Sequence, residues 1–160
     1  MNPAAPRNLV VDASIMHSSG TAEQGTSKAS REALDAILRI CHHVILTSDI
    51  REEWKRHASG YSQSWHVAME SKKKVNNLDS VNVEELASAI AESYMNSTDR
   101  ERVEKDAPLI NAALCSDKVI VTYDERLKKT MEKYSPLASI SARIKWVNPV
   151  KDGPSIFEEI

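Results

Sequence analysis

The sequence has little glycine, few aromatic residues and no long apolar run. The scarcity of glycine and the absence of an apolar run each argue against a class of protein. With four glycines in 160 residues it contains no glycine-rich phosphate loop, which argues against a nucleoside-triphosphate site. No apolar stretch approaches the ~20 residues of a membrane span, and the amino terminus lacks the apolar core of a secretory signal. The formal net charge of −2 provides no bulk basic field, so any binding to nucleic acid must rest on a local patch.

Cysteine is scarce as well. Cys41 and Cys115 lack the spacing of a metal site, and both lie near apolar positions of predicted helices. We therefore expect both thiols to be buried and reduced, which fits a cytoplasmic protein. The lack of a long apolar run leads us to expect no membrane binding. His42 and His43 end the first long predicted helix, where contact with the negative end of the helix is the simplest explanation for them.

What the sequence does contain is an alternation of short β-branched runs with helical patterns. Strands are predicted over 8–12, 44–47, 119–121 and 144–147. Such alternation predicts one α/β domain over 1–160, a three-layer fold in which a parallel sheet of about four to five strands has helices on both faces.

The packed part of this domain is expected over about 8–149, with loose arms at 1–7 and 150–160. Helical periodicity covers four further stretches, and another helix is ended by Gly60. The four stretches are 27–42, 62–72, 83–95, in which Tyr94 is expected to face inward, and 125–134.

Acidic residues follow several of the predicted strands. Asp12 comes directly after the first strand, and Asp124 follows the third. Asp106 precedes Pro108 and is predicted to cap a helix that begins there. Because ligands bind at the carboxyl edge of an open parallel sheet, we expect these acids to meet at that edge. For any one of these acids, helix capping is the simpler explanation. It is a weaker explanation for the whole set, because the fold would bring all of them together.

The helix after the second strand supplies one more acid. Asp49 and Glu52 fit a D-x-x-E capping box, which assigns Glu52 to the helix end. Glu53 is left free beside the buried stripe marked by Ile50 and Trp54. We therefore expect Glu53 to reach the same edge of the sheet as the other acids.

Four segments together resemble the PIN domains, a family of metal-dependent nucleases. They are Val-Val-Asp-Ala-Ser at 10–14, Ile-Arg-Glu-Glu-Trp at 50–54, Lys-Asp-Ala-Pro-Leu-Ile-Asn-Ala-Ala at 105–113 and Val-Ile-Val-Thr-Tyr-Asp at 119–124. The resemblance covers about 8–149 and implies a PIN-like fold. It also implies RNA as the substrate and frequent homodimers, and some members are toxins that pair with an antitoxin protein.

The resemblance also implies roles for particular residues. The positions that match the metal-binding acids of the family are Asp12, Glu53, Asp106 and Asp124. Ser14 matches the small polar position two residues after the first acid. Many members carry a further acid two residues after the last one, whereas this chain has Arg126 there.

Oxygen ligands alone suit Mg²⁺ or Mn²⁺ rather than Zn²⁺. Such a carboxylate–metal centre could hydrolyse phosphodiester bonds, and with the RNA substrate that the resemblance implies we expect an endoribonuclease. Asp12 and Asp106 are expected to bind the metal directly, and Asp124 directly or through water. Glu53 would act as an outer ligand or orient the water, and Ser14 would hold a water or a carboxylate.

Cations around the predicted site are candidates for contacts with a nucleic-acid backbone, although on exposed helix faces such residues ordinarily serve solubility. They are Arg51, Lys55, Arg56, Lys72, Lys73, Lys74, Arg126, Lys128 and Lys129. Trp54 and Trp146 fit the core, so Tyr61 and Trp65 are the candidates for stacking on bases.

Three other functions fit parts of the pattern. A non-catalytic PIN-like RNA-binding or scaffold module is the main alternative, although it gives no reason to keep clustered charges. A haloacid-type hydrolase needs an acid two residues after Asp12, where this chain has Ser14. A receiver domain needs paired acids at the first strand, and the chain offers one.

Overall fold

A computed structural model describes residues 5–22 and 25–160, which form five strands and ten helices. The strands are β1 (Asn8–Val11), β2 (His43–Leu46), β3 (Val75–Asn77), β4 (Val119–Val121) and β5 (Lys145–Val147). The helices are α1 (Ala13–Ser18), α2 (Gly25–Ile40), α3 (Ser48–His57), α4 (Gly60–Ser71), α5 (Glu84–Glu92), α6 (Ser97–Leu114), α7 (Glu125–Glu132), α8 (Ser135–Ala142), α9 (Pro149–Asp152) and α10 (Ile156–Glu159).

The five strands form one parallel sheet in the order β3-β2-β1-β4-β5, which confirms the predicted fold class. The sequence pattern missed β3 because its residues, Val-Asn-Asn, form no apolar run. This strand lies at the edge of the sheet, where burial on both faces is not required. The sequence pattern also missed the short helices α1 and α8.

Apolar strands and two groups of helices build the core. The central strands β1 and β4 are almost wholly buried, as a parallel sheet covered on both faces requires. Helix α2 contacts α4, α9 and α10, while α7 contacts α6 and α8, so the helices form two separate layers. Tyr94 is 99% exposed, so the prediction that it faces inward was wrong, and Trp65, only 4% exposed, is too buried to serve as a candidate for base stacking.

Helix α6 corrects the predicted helix start at Asp106. The helix begins at Ser97 and is capped by Asn96, whose side chain accepts a hydrogen bond from the Asp99 amide at 2.8 Å. Asp106 and Pro108 therefore lie inside a continuous helix. The bond that Pro108 cannot donate would have gone to the carbonyl of Glu104, an exposed residue, where water can replace it.

Helix α3 corrects the predicted capping box. Thr47 is the N-cap, and its hydroxyl accepts from the Ile50 amide at 3.3 Å. Asp49 instead lies in the first turn and accepts a hydrogen bond from the Ser80 hydroxyl at 3.3 Å. The buried Thr47 directly follows β2 and caps α3, so the helix needs no cap from Asp49.

The carboxyl-terminal segment, predicted as a terminal arm at 150–160, contains the short helices α9 and α10. Asn148 caps α9 by accepting from the amides of Val150 and Lys151. Phe157 of α10 is fully buried, its carbonyl accepts a hydrogen bond from His42, and both α9 and α10 contact α2, so several contacts hold this segment against the domain. Of the predicted arm at 1–7, residues 1–4 lie outside the described part, and 5–7 are exposed.

Both cysteines are exposed and free, so the prediction of buried thiols was wrong. Cys41 and Cys115 come directly after the last residues of α2 and α6, and there the apolar stripe of each helix has ended. Within the described residues no helix combines the length and apolar character that a membrane span requires.

Candidate functional site

The acids lie at the topological switch point of the sheet. From β1 the chain builds β2 and β3 on one side, and it then crosses to build β4 and β5 on the other. The crevice at such a switch point is where open α/β sheets bind ligands. Asp12 directly follows β1 and Asp124 lies three residues after β4, so both acids border this crevice.

Asp12 is half-buried and is held by hydroxyl groups from two sides. Its Oδ2 accepts from Ser14 Oγ at 2.9 Å and from Thr122 Oγ1 at 2.7 Å. Asp12 occupies the N-cap position of α1, yet its carboxylate makes no capping bond. Helix capping therefore does not explain this residue, and two fixed hydroxyl groups orient its carboxylate.

Thr122 links the two strand ends, and sequence reasoning missed it. Its hydroxyl donates to Asp12 and accepts from the Asp124 amide at 2.9 Å. Ser14 Oγ likewise accepts from the Tyr123 amide at 3.3 Å. A buried polar residue between an apolar strand and an acid is the signal that could have identified Thr122.

Asp124 combines a capping role with a place in the crevice. Its Oδ1 accepts from the amides of Arg126 and Leu127 at 3.0 and 3.1 Å, which caps α7. Only one carboxylate oxygen is used in this way. Helix capping therefore does explain Asp124, and it leaves the second carboxylate oxygen free for a ligand.

Asp106 is the acid without a partner. Within residues 5–22 and 25–160 its carboxylate forms no hydrogen bond or ion pair. Burial, together with the negative charges of Asp12 and Asp124 and a weaker contribution from Glu53, raises the pKa of Asp106 to about 6, against the opposing charge of Lys105. The same four acids that the sequence predicted to meet thus interact electrostatically.

Glu53 stands at the outer side of this group. Its neighbour Trp54 is buried and donates its indole N–H to the Val11 carbonyl at 2.8 Å, which fixes α3 against the end of β1. The Glu53 carboxylate pairs with Arg56 at 3.4 Å and with His57 at 3.5 Å. Part of its charge is therefore already balanced on its own helix.

Two connected depressions surround the acids. The first, of about 520 Å³, lies between α1, α3 and α6, and we call it the acidic cleft. The second, of about 630 Å³, lies between α6 and α7, and we call it the α6/α7 groove. Lys105, Asp106 and Asp124 line both, so Asp106 and Asp124 stand where the two meet.

Two histidines and a lysine join the site without having been predicted. His17 and His57 both line the acidic cleft, with their rings edge to face and their centroids 6.1 Å apart. Lys105 lies beside Asp106 on α6. Their sequence positions, at the ends of α1 and α3 and within a charged run, carry no pattern that distinguishes them from surface residues.

The predicted nucleic-acid contacts divide into those near the acids and those far away. Arg126 lines the α6/α7 groove. Arg51 pairs with Asn77 and Glu70 outside both depressions, and exposed Lys55 lines neither. The run at 72–74 lies between α4 and the start of β3, at the opposite edge of the sheet from the acids.

The donor set fits a hard cation, although the site is not preformed. Among residues 5–22 and 25–160 no group of three Asp, Glu, His or Cys side chains is arranged to hold a metal ion. Asp12, Asp106 and Asp124 nevertheless offer only oxygen atoms, which suit Mg²⁺ or Mn²⁺. The uncompensated charge at Asp106 is what a bound cation would neutralise.

Comparisons with known proteins add no relative. The scan of protein-family models, the search of curated proteins and the search of solved structures each found no match to this chain.

Proposed function

We propose that this protein is a Mg²⁺- or Mn²⁺-dependent endoribonuclease of the PIN type. The observation that carries the proposal is the half-buried Asp106 carboxylate, which has no partner within the described residues and lies beside Asp12 and Asp124 at the switch point. An uncompensated carboxylate destabilises a fold, and strongly perturbed acids in a cleft are more frequent at functional sites than elsewhere. A cation bound there would repay that cost.

Asp12, Asp106 and Asp124 are the residues that would hold the cation, with Glu53 as an outer ligand. The chemistry that such a cation supplies when bound is the polarisation of a phosphoryl oxygen and a lowered pKa of water. The remaining roles belong to this chain. Ser14 and Thr122 fix the orientation of Asp12, which preorganises the site before substrate arrives.

The wider setting belongs to the same proposal. We propose RNA as the substrate and the cytoplasm as the compartment. The resemblance to PIN domains, some of which are toxins, extends the proposal to an antitoxin partner and a homodimer.

A non-catalytic RNA-binding or scaffold module is the second candidate. Two observations favour it: Glu53 already pairs with Arg56 and His57, and no metal-ligand group is preformed within the described residues. Such a module would tolerate neutral residues in place of its acids.

Cleavage of a pool of single-stranded and structured RNA tests the proposal. Wild type is compared with Asp12→Asn and Asp106→Asn, each with Mn²⁺, with Mg²⁺ and with chelator, and thermal melts are recorded in parallel. We expect metal-dependent cleavage that both substitutions abolish, and stabilisation of the wild type by millimolar Mn²⁺ through mass action. Cleavage that survives both substitutions identifies a contaminant. Absence of cleavage together with metal-insensitive melting supports the non-catalytic module.

A further inference from the structure

The two depressions that meet at Asp106 differ in charge. Six acids line the acidic cleft, whereas Arg56 and Lys105 are its only lysine or arginine residues within the described part of the chain. The α6/α7 groove has three cations, Arg102, Lys105 and Arg126, against four acids, of which Asp106 and Asp124 are shared with the cleft. A polyanion that approaches the acids is therefore repelled by the first depression far more strongly than by the second.

Two of the groove's cations are not engaged elsewhere. The side chains of Lys105 and Arg126 form no ion pair or hydrogen bond within residues 5–22 and 25–160. Lys105 lies one residue before Asp106 on α6. Arg126 is tied to Asp124 through its backbone, because its amide donates to Asp124 Oδ1 at 3.0 Å. Each free cation thus stands directly beside one acid of the site.

Two other charges of the groove, those of Arg102 and Glu125, are already balanced within the fold. Arg102 pairs with Asp99 at 3.7 Å and donates to the Thr130 hydroxyl at 3.1 Å. Glu125 pairs with Lys151 at 3.2 Å. Three acids still oppose an anion that enters the groove: the exposed Glu101, and Asp106 and Asp124 at the end that the groove shares with the acidic cleft.

Helix α6 gives the groove a direction. Thr98, Glu101, Arg102 and Lys105 recur at spacings of three and four, so they form one stripe along the helix. From Thr98 to Asp106 this stripe extends for about 12 Å at 1.5 Å per residue. The groove is therefore long enough to carry a chain onward from the acids rather than to hold a single small anion.

From this arrangement we propose that Lys105 and Arg126 form a phosphate-binding subsite beside the acids and direct a single-stranded RNA backbone along the α6/α7 groove. The inference rests on the proposed function and specifies its substrate. The preferred substrate carries at least one phosphate beyond the bond that is cut. The lysines at 72–74, at the far edge of the sheet, take no part in this contact.

Fluorescence anisotropy with a 5′-labelled 12-nucleotide single-stranded RNA tests the subsite separately from hydrolysis. The variants are Lys105→Gln/Arg126→Gln and a matched control, Arg7→Gln/Lys145→Gln. The control removes one arginine and one lysine, both exposed and without side-chain partners in the described structure, from the opposite edge of the sheet. A third variant, Lys72→Gln/Lys73→Gln, tests the lysine run. Titrations are repeated at several salt concentrations in the presence of chelator.

We expect Lys105→Gln/Arg126→Gln to weaken binding by about tenfold or more and to flatten the slope of log K against log salt by about 1.4, since each phosphate contact on a single strand contributes about 0.7. The control and the lysine-run variant should bind as wild type does. Equal weakening in the control, or none in Lys105→Gln/Arg126→Gln, overturns the subsite.

Cleavage assays on the same proteins separate the two proposals. If wild type cuts RNA and Lys105→Gln/Arg126→Gln binds as tightly as wild type, the nuclease stands and the subsite fails. If RNA binds through these residues and no preparation cuts, the subsite stands and hydrolysis fails. If wild type binds no RNA, both fail.

Discussion

The amino edge of the sheet carries mainly basic residues and the carboxyl edge carries acidic ones. The two edges also differ in which of these groups have partners within the fold. At the amino edge, basic residues precede or open the strands: Arg7, His42, Lys74, Lys118 and Lys145. At the carboxyl edge, Asp12 and Asp124 follow β1 and β4. Because all five strands are parallel, the same end of every strand lies at the same edge of the sheet. Basic residues before strands and acids after strands therefore collect at opposite edges.

Several polar groups at the amino edge are bonded within the fold, although the exposed Arg7 and Lys145 side chains have no partners in the described structure. His42 is fully buried; its Nδ1 accepts from the Arg7 amide at 2.9 Å, and its Nε2 donates to the Phe157 carbonyl at 2.6 Å. Lys74 donates to the Leu38 carbonyl at 3.1 Å. Asp117 accepts from the Asn8 amide at 2.6 Å. These bonds join distant parts of the chain, so this edge serves stability.

The carboxyl edge leaves charge uncompensated. Asp106 lacks a partner in the described structure, and Asp124 uses one oxygen only. A fold gains nothing from an unpartnered, half-buried carboxylate, so the difference between the edges separates residues that hold the chain together from residues available to a ligand. Four substitutions test this comparison, from the largest expected effect to the smallest.

Asp124→Asn and Asp117→Asn form the sharpest pair. Both residues accept backbone N–H bonds, and asparagine can still accept them, so each change removes charge and little else. We expect Asp124→Asn to lower RNA cleavage on the order of 10³-fold, whereas Asp117→Asn should leave it within about twofold of wild type. Single-turnover cleavage rates measure both. Similar losses in the two variants would show that the edges do not differ in function.

His42→Ala tests the stabilising edge. The change leaves the Arg7 amide and the Phe157 carbonyl without their partner and opens a cavity. We expect the free energy of unfolding to fall by about 3 kcal/mol, with cleavage per folded molecule unchanged at low temperature. Urea unfolding measures this loss. His17→Ala, at an exposed position in the acidic cleft, is the control and should cost under about 0.5 kcal/mol.

Thr122→Val tests the link between the two acids. The change removes the hydroxyl that holds Asp12 and accepts from the Asp124 amide, at nearly constant volume. We expect cleavage to fall by about 10- to 100-fold, as for other residues that orient metal ligands. Thr122→Ser should restore most of the rate because it keeps the hydroxyl. A valine variant with the wild-type rate would mean that this bond has no part in the activity.

Asp106→Asn should stabilise the metal-free protein. Burial and the neighbouring acids raise the pKa of Asp106 from 3.8 to about 6, so the folded state holds a proton that the unfolded state has lost. Stability therefore falls as the pH rises between these values, and the penalty is complete above about 6. Removing the charge should raise stability by about 1–2 kcal/mol at pH 7.5, after allowance for the partial exposure of the group.

This gain should shrink to about 0.5 kcal/mol or less near pH 4, because Asp106 is then protonated in the folded state and only about half ionised in the unfolded state, where its pKa is 3.8. Thermal melts with chelator at the two pH values measure it. Equal melting temperatures of variant and wild type at pH 7.5 would show that the charge of Asp106 is compensated in solution.

The sequence predicted the sheet better than it predicted the helix ends. The β-branched runs identified four of the five strands, because a strand buried on both faces must be apolar throughout. The start of α6 was misplaced because Asp106-Ala107-Pro108 is a typical helix opening, and nothing in the local sequence reveals that the helix continues through Pro108. Phe157 was missed because a single aromatic residue in a polar segment gives no periodic signal.

The site divides in the same way. Asp12 and Asp124 could be found from the sequence, because their positions after strands follow from local patterns and a parallel topology. Asp106 was expected at the same edge as the cap of a helix, whereas it lies inside α6. The partners of these acids could not be found from the sequence. Thr122, Lys105 and His57 gain their places only from packing: α6 and α3 must cross the carboxyl edge at a particular height, which the Trp54 bond to the Val11 carbonyl helps to fix.

By itself, then, the sequence determined an α/β chain with acids at the ends of its strands, since strand burial and helix periodicity are local properties of the residues. Tertiary structure alone decided which charges are paired. Whether Asp106 has a partner, whether the lysines at 72–74 face the acids or lie at the far edge, and whether His42 lies at the surface or is buried between two parts of the chain all depend on residues distant in sequence. Electrostatic and hydrogen-bond energies depend on distances that only the folded chain sets.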